Sequence, residues 1–565
     1  MPTSRIVKRN GAAYLEVNGN LISGAAYMTY FSDNNCYSDF ADAGYKLYSV
    51  SVFLGQNYIN NAGALECFTP GIFDGENSDF SRFDLDIKRI LDVCPDAMIF
   101  PRININPSRK WEEEHQEELT LRGPQKRHPD GKRACIGSEL WLNWVKEHLR
   151  LFIEHIRKSD FSGNIIGYQL AGGQTEEWYA YDDNGFIGKR SLEKYESYLA
   201  KNKKEDTASE LYSFHARLCA DRICELCGYV KALTDYSLVV GAFYGYTIEL
   251  VSKKTAHHAL GIMLEREEVD FICSPISYVG YRDVGQDHPY MVPVDSLKLH
   301  GKLYFMECDS RTHLSKPPFD HPRFNNPVWY GFEKDITLNS LLMHFSKCLL
   351  HGHAFWWFDM WGGWFADEDY MRFMRWAKKF ADECVGTPMR SMAEVAVFVD
   401  ENAYFELEGG EVSDKVVRQT RLTLGRMGIP YDIYLASDFE SVKDRYRAYI
   451  TLEPCETRLY SEIVASAVAD GKLLVKINGT NADITAKELR ELLGFGGVRV
   501  ISDRDAVIYL CESYLFIHTC ESGEYSLALP EGTEIRDAFT SRICSASFYS
   551  DGGKSYLFRL QNPKL

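Results

Sequence analysis

The 565-residue chain is short of positive charge: 63 Lys and Arg face 80 Asp and Glu, a formal net charge of -17. A surface of that sign has no basic face to neutralise phosphates, which argues against nucleic acid as a partner. No apolar run reaches membrane-spanning length, and the opening MPTSRIVKRNGAAYLEVNG lacks the apolar centre of a signal peptide. The expectation is a cytoplasmic protein with no membrane partner. Phosphate-cradling motifs are missing too: no GxGxxG opens a helix after a strand, and no GxxxxGK[ST] occurs. GxSxG is absent, so serine-hydrolase chemistry has no anchor. Repeats and low-complexity tracts are also lacking. The fifteen cysteines are scattered and odd in number, which reads as reduced, buried thiols. Cys224 and Cys227 form one CxxC within an amphipathic helical stretch, with no second pair to complete a metal site. Histidines are equally unhelpful. His257 and His258 are adjacent, His351 and His353 precede a strand, and His313 and His321 lie eight residues apart. A metal-dependent barrel hydrolase would want ligands on several strand exits, so neither a metal nor another cofactor is expected.

What is present is a soluble globular composition, 45% hydrophobic and 25% charged, with 13% aromatics. Short apolar runs alternate with helical patterns over the first 385 residues or so. The candidate strands span 21–30, 47–55, 97–106, 165–172, 238–246, 270–278, 302–309 and 353–361. Between them, stretches such as SELWLNWVKEHLRLFIEHIRKS are apolar at three- and four-residue spacing. Eight such βα alternations predict an α/β protein built on a (β/α)8 barrel over residues 1–388. A smaller open α/β unit, flavodoxin- or amidotransferase-like, is expected over 389–496, followed by a small antiparallel β domain over 497–565.

In such a barrel the working residues stand at the C-terminal ends of the strands. Strand three releases Arg102, Asn104 and Asn106, and strand four runs as IIGYQLAGGQTEEWYAY into Glu176 and Glu177. Strand six releases Ser277 and Tyr278, with Tyr281 and Arg282 beyond. Strand seven releases Glu307, Asp309 and Arg311, and strand eight releases Trp356, Trp357, Asp359 and Trp361. Carboxylates at exits four and seven are what glycosidic cleavage with retention demands, one acid protonating the leaving oxygen and a second attacking the anomeric carbon. Two acids in different environments can hold different protonation states. Arg102 and Tyr278 are candidates to keep the attacking carboxylate ionised, and Trp357 or Trp361 to form the floor of a sugar subsite. Arg282 and Arg311 are alternative ion-pair partners for Glu307. Asp359 is open between a structural hydrogen-bonding role and a substrate contact. Adjacent residues do not share a face, so only one of Glu176 and Glu177 should be the acid. Glu177 is favoured because Trp178 offers it an apolar wall, and Glu176 stays as the alternative.

With these exits, and with the start YLEVNGNLISGAAYMTY, the chain resembles the glycoside hydrolases of clan A and, within them, the β-galactosidases of family 42 and their divergent relatives. The resemblance implies that Glu307, in FMECD, is the nucleophile and that Glu177 or Glu176 is the acid/base. It places Tyr278 after strand six and the Trp356–Trp357 pair on strand eight as substrate-side residues. The sugar would also meet Arg102, Asn104, Asp309, Arg282 and Arg311. In place of the Asn-Glu usual at exit four stands AGGQTEEW, where Gln174 or Thr175 would stand in for the Asn. The implied activity is a retaining, exo-acting β-glycosidase. The same scaffold also admits a transglycosylase or another β-glycosidase, and, more distantly, a sugar-binding protein without catalysis. Family 42 further implies a homo-oligomer, a trimer, built through the middle domain. The long charged segment 107–138 is expected to cover the site.

Overall fold

The structure is a computed structural model that describes residues 2–55, 70–120, 134–173, 177–180, 185–315 and 333–561. Eight parallel strands close into a barrel: Ala25–Thr29, Leu47–Phe53, Met98–Asn104, Gly167–Gly173, Val239–Ala242, Phe271–Pro275, Leu303–Cys308 and Ala354–Phe358. Each pairs with the next, strand eight pairs with strand one, and strands three and four join with Arg102 opposite Gln169. All eight predicted strands are therefore present. The first is shorter than its apolar run. Asn20–Ile22 instead completes a three-stranded antiparallel sheet with Ser4–Arg9 and Ala12–Val17. Gly24, at φ +65°, makes the turn between the two, and a Cβ there would stand 2.6 Å from that of Ala354.

The strands are buried on both faces, which is why they read as nearly continuous apolar runs. Strand alternation sends Phe100, Phe305 and Trp356 inward, where Phe305 stands 5.1 Å from Phe100 and 5.2 Å from Trp356, ring centre to ring centre. The helices dock by an apolar stripe. In Glu139–Lys158 the buried residues Trp141, Leu142, Val145, Leu149, Phe152, Ile153 and Ile156 follow the helical repeat. Ser138 caps that helix by accepting from the Trp141 amide at 3.0 Å, and His155, Arg157 and Lys158 complement its C-terminal dipole.

Beyond the last barrel helix, Glu368–Cys384, four parallel strands form an open sheet in the order Tyr431–Leu435, Val395–Val399, Ala448–Glu453, Leu473–Asn478. This sheet is bonded to the barrel side. Asp295 accepts from the Ile433 amide at 2.9 Å, and the Ser296 hydroxyl accepts from Leu435 at 2.8 Å. Glu401 takes the amides of Leu260 and Gly261 at 2.8 and 3.1 Å. The C-terminal part is an antiparallel sheet of five strands, Ala506–Leu510, Tyr514–Thr519, Lys554–Gln561, Glu534–Asp537 and Ile543–Cys544, with a separate ribbon of Gly523–Ser526 and Ser547–Ser550.

Candidate active site

Glu307 occupies the inward-facing register at the end of strand seven and is only 4% exposed. A buried carboxylate needs a partner, and it has one: the Arg102 guanidinium, itself 1% exposed, donates to it at 2.9 Å. Arg102 lies over the Phe243 ring at 4.1 Å and near that of Tyr30 at 5.4 Å, so its planar head is fixed between aromatic faces. Burial, opposed by Arg102 and reinforced by the charges of Asp309 and Glu177, leaves the Glu307 carboxyl raised to about 8. Arg282 and Arg311, the other arginines considered as its partner, pair with Asp309 instead.

The exit of strand four is built on glycine. Gly173 sits at φ +69°, and a Cβ there would lie 2.5 Å from the Tyr179 carbonyl oxygen. Asn106 locks the turn from strand three by donating to the Gly173 carbonyl at 2.8 Å and accepting from its amide at 3.0 Å. Asn104 supports Asn106 in turn, its side-chain oxygen accepting from that residue's amide at 2.9 Å. The chain then pairs again with strand four as the short strand Glu177–Tyr179. Glu177 accepts from the Tyr246 hydroxyl at 2.6 Å, and its charge acts on Glu307. Gln174, Thr175 and Glu176 lie outside the described residues.

Trp178 does not furnish the expected wall for Glu177. Successive residues of a strand face opposite ways, and at φ 61° Trp178 turns its indole away to donate to the Leu170 carbonyl at 3.3 Å. The group that meets Glu177 is Tyr246, which no sequence motif marks. It closes the apolar run 238–246, and only a sequence signal for a polar aromatic at strand five's exit would have raised it. His257 packs edge-on to Tyr246 at 5.3 Å and stacks on Tyr244 at 4.7 Å, its imidazole held neutral because burial drives it down to about 3.

Other candidates take places different from those expected. Tyr278 donates to Asp309 at 2.6 Å rather than to Glu307. Asp309 also pairs with Arg282 at 2.6 Å and accepts through its carbonyl from Arg311 at 2.9 Å, so it organises the loop from within instead of presenting itself to a sugar. Arg282 spends its remaining donors on the carbonyls of Ser277 and Ile276, and Arg311 lies over the Trp364 ring at 4.6 Å. Asp359 is fully buried and structural: it accepts from Tyr27 at 2.7 Å, Trp364 at 2.8 Å and Gly363 at 3.0 Å, and burial raises it to about 6. Trp357 faces outward from the barrel, among Phe355, Phe365 and Phe373, and donates to the Tyr45 hydroxyl at 2.8 Å, so it is no subsite floor. Its neighbour Trp356, opposite Glu307 in register, is the inward indole. Trp361 is buried edge-on against Trp364 at 5.5 Å. Among the described residues no three His, Cys, Asp or Glu side chains converge as a metal-holding group.

A closed parallel barrel with opposed acids at exits four and seven, followed by an open α/β sheet and a β domain, defines a recognisable class of architecture. Solved structures share this fold over nearly the whole chain. The β-galactosidase from Bacillus circulans sp. alkalophilus superposes with a TM-score of 0.60 at 12% identity, covering 95% of this chain and 98% of its own. The β-galactosidase from the psychrophilic Marinomonas ef1 gives 0.61 at 11% identity, covering 95% and 100%. A GH42 exo-carrageenase from Bacteroides ovatus gives 0.57 at 10% identity, covering 99% and 84%. No protein-family model and no curated protein matches the sequence. The chain thus has the fold of the family 42 glycoside hydrolases with a sequence far removed from them.

Proposed function

We propose that this protein is a retaining, exo-acting β-glycosidase that hydrolyses β-linked oligosaccharides or glycosides by double displacement. The observation that carries the reading is the Arg102–Glu307 pair buried at exit seven, with a second carboxyl, Glu177, held by Tyr246 at exit four. The Glu307 carboxylate attacks the anomeric carbon while Glu177 gives its proton to the departing glycosidic oxygen. A glycosyl ester on Glu307 results. Water then attacks that carbon, passing a proton to Glu177 and freeing Glu307, so both carboxyls return to their starting states. Glu176 is the alternative proton donor. Arg102 opposes the burial that disfavours the nucleophile's charge, and Asn104, Gln174 and Tyr278 border the sugar. The β-galactosidase and carrageenase neighbours point to galactose-configured substrates as the first to try.

Glu307→Gln should abolish turnover of nitrophenyl β-glycosides with an unchanged circular dichroism spectrum, and NMR of the first-formed anomer should show retention. Substantial activity in that variant, or an inverted anomer, would end the assignment. A homotrimer formed through the middle domain belongs to the same proposal, supported by Phe495, 97% exposed, beside the exposed Leu492 on one helix of that domain. A reducing, cytoplasmic setting is supported by the cysteines, most of which are buried free thiols among the described residues.

A further inference from the structure

The loop after strand six is under backbone strain and is held from outside the barrel. Gly280, Tyr281 and Arg282 take φ values of 63°, 53° and 55° in succession, a left-handed run that side-chain-bearing residues adopt only when their surroundings impose it. The imposing group is Glu249. It accepts from the Ser277 hydroxyl at 2.6 Å and from the Tyr278 amide at 3.4 Å, while the Ser277 hydroxyl accepts from the Val279 amide at 3.1 Å. Glu249 is itself buried, and its counter-charge comes from the middle domain. Arg421, 1% exposed on the helix Thr420–Arg426, donates to it at 2.5 Å. The same guanidinium reaches the Tyr290 carbonyl and approaches the Ser277 hydroxyl at 3.4 Å. The helix is pressed onto the barrel here, since a Cβ on Gly425 would stand 2.2 Å from that of Asp287.

We propose that Arg421 is a positioning residue of the active site: acting across the domain boundary through Glu249 and Ser277, it sets Tyr278, and with it Asp309, at the rim of the sugar pocket. The middle domain is then part of the catalytic unit within a single chain. The assignment of Tyr278 to the sugar rests on the glycosidase reading; the strut itself does not.

Hydrogen exchange of the full chain separates the two. Arg421→Gln should raise amide exchange over residues 276–283 at least tenfold, and Arg421→Lys should restore part of the protection. Glu401→Gln, which alters another bond between the same two domains, should leave that segment and the activity unchanged. If Arg421→Gln does not fold, the double change Glu249→Gln with Arg421→Met, which leaves no buried charge unpaired, takes its place with the same expected exchange. On a glycoside substrate, kcat/KM should fall about tenfold in the Arg421 variant. Adding it to Tyr278→Phe should cost little more than Tyr278→Phe alone, because both act at one point. Unchanged exchange at 276–283 in a folded variant, or fully additive kinetic losses, would overturn the proposal. A wild-type protein that turns over no glycoside would refute the glycosidase reading alone, and the exchange result would still decide the strut.

Discussion

Glu307 carries two opposed influences. Full burial disfavours its charge, and a guanidinium 2.9 Å away favours it. A nucleophile must be ionised to attack, so activity tracks its deprotonation. With the carboxyl raised to about 8, kcat/KM of the free enzyme should climb as pH rises, with its acidic limb displaced from the ordinary carboxylate range toward 8. Arg102→Met removes the influence that lowers this value, so the limb should move to still higher pH. At pH above that limb, where Glu307 is charged, the same change strands a buried carboxylate and should cost about 3–5 kcal/mol in urea unfolding. A wild-type limb near 4.5 would show that Glu307 is not the titrating nucleophile. The pairing itself was half legible in sequence, because a charged residue at each of two strand exits demands partners. Which arginine takes which acid was not. Arg102 was the candidate partner and Arg282 or Arg311 the alternative, and the barrel's register brought the first to Glu307 and left the others to Asp309.

At the scale of the element, the exit of strand four depends on one dihedral. Gly173 at φ +69° lets the chain fold back so that Glu177–Tyr179 pairs with the strand it has just left. Gly173→Ala places a methyl 2.5 Å from the Tyr179 oxygen and adds about 1–3 kcal/mol of local strain. Relieving it displaces Glu177, and a shift of about 1 Å in a proton donor costs on the order of 10²-fold in rate. The expected outcome is a kcat reduced by about that factor with KM little changed, measured on an alkyl glycoside or disaccharide, whose leaving group needs protonation. A variant with wild-type kcat would remove Glu177 from the mechanism. The strand itself was plain from its apolar run, and the glycine pair marked its end. The direction of Trp178 was hidden, because a positive φ on a tryptophan follows from tertiary packing and not from any local preference. Strand one shows the same division: ten apolar-leaning residues read as one strand, yet Gly24 splits them between two sheets.

Across the whole molecule, the middle domain is bonded to the barrel through Glu401, Asp295 and Arg421 and still leaves apolar groups exposed. Phe495 and Leu492 stand exposed on Ala486–Phe495, and Val468 on Arg458–Ala469. Exposed apolar groups of this size mark an interface that a partner covers. Sedimentation equilibrium should therefore return three times the 64.7 kDa of one chain, and Phe495→Ser should shift the distribution toward the single chain. A wild-type protein that sediments as a monomer would remove the trimer from the proposal.

The sequence by itself determined the eight strands, the helices between them and the change of texture near residue 388, because apolar periodicity is a local property read directly from residue order. It also placed acids at exits four and seven, since a strand's end carries its side chains with it. Only the tertiary structure decided which of those groups meet. Tyr246 reaches Glu177 across 69 positions, Arg102 reaches Glu307 across 205 and Arg421 reaches Glu249 across 172. Contacts of that span come from barrel closure and domain docking, whose geometry no local pattern encodes. The same closure turned Trp357, a candidate subsite floor, outward and sealed Asp359 among amides, where the strand exits alone had left its role open.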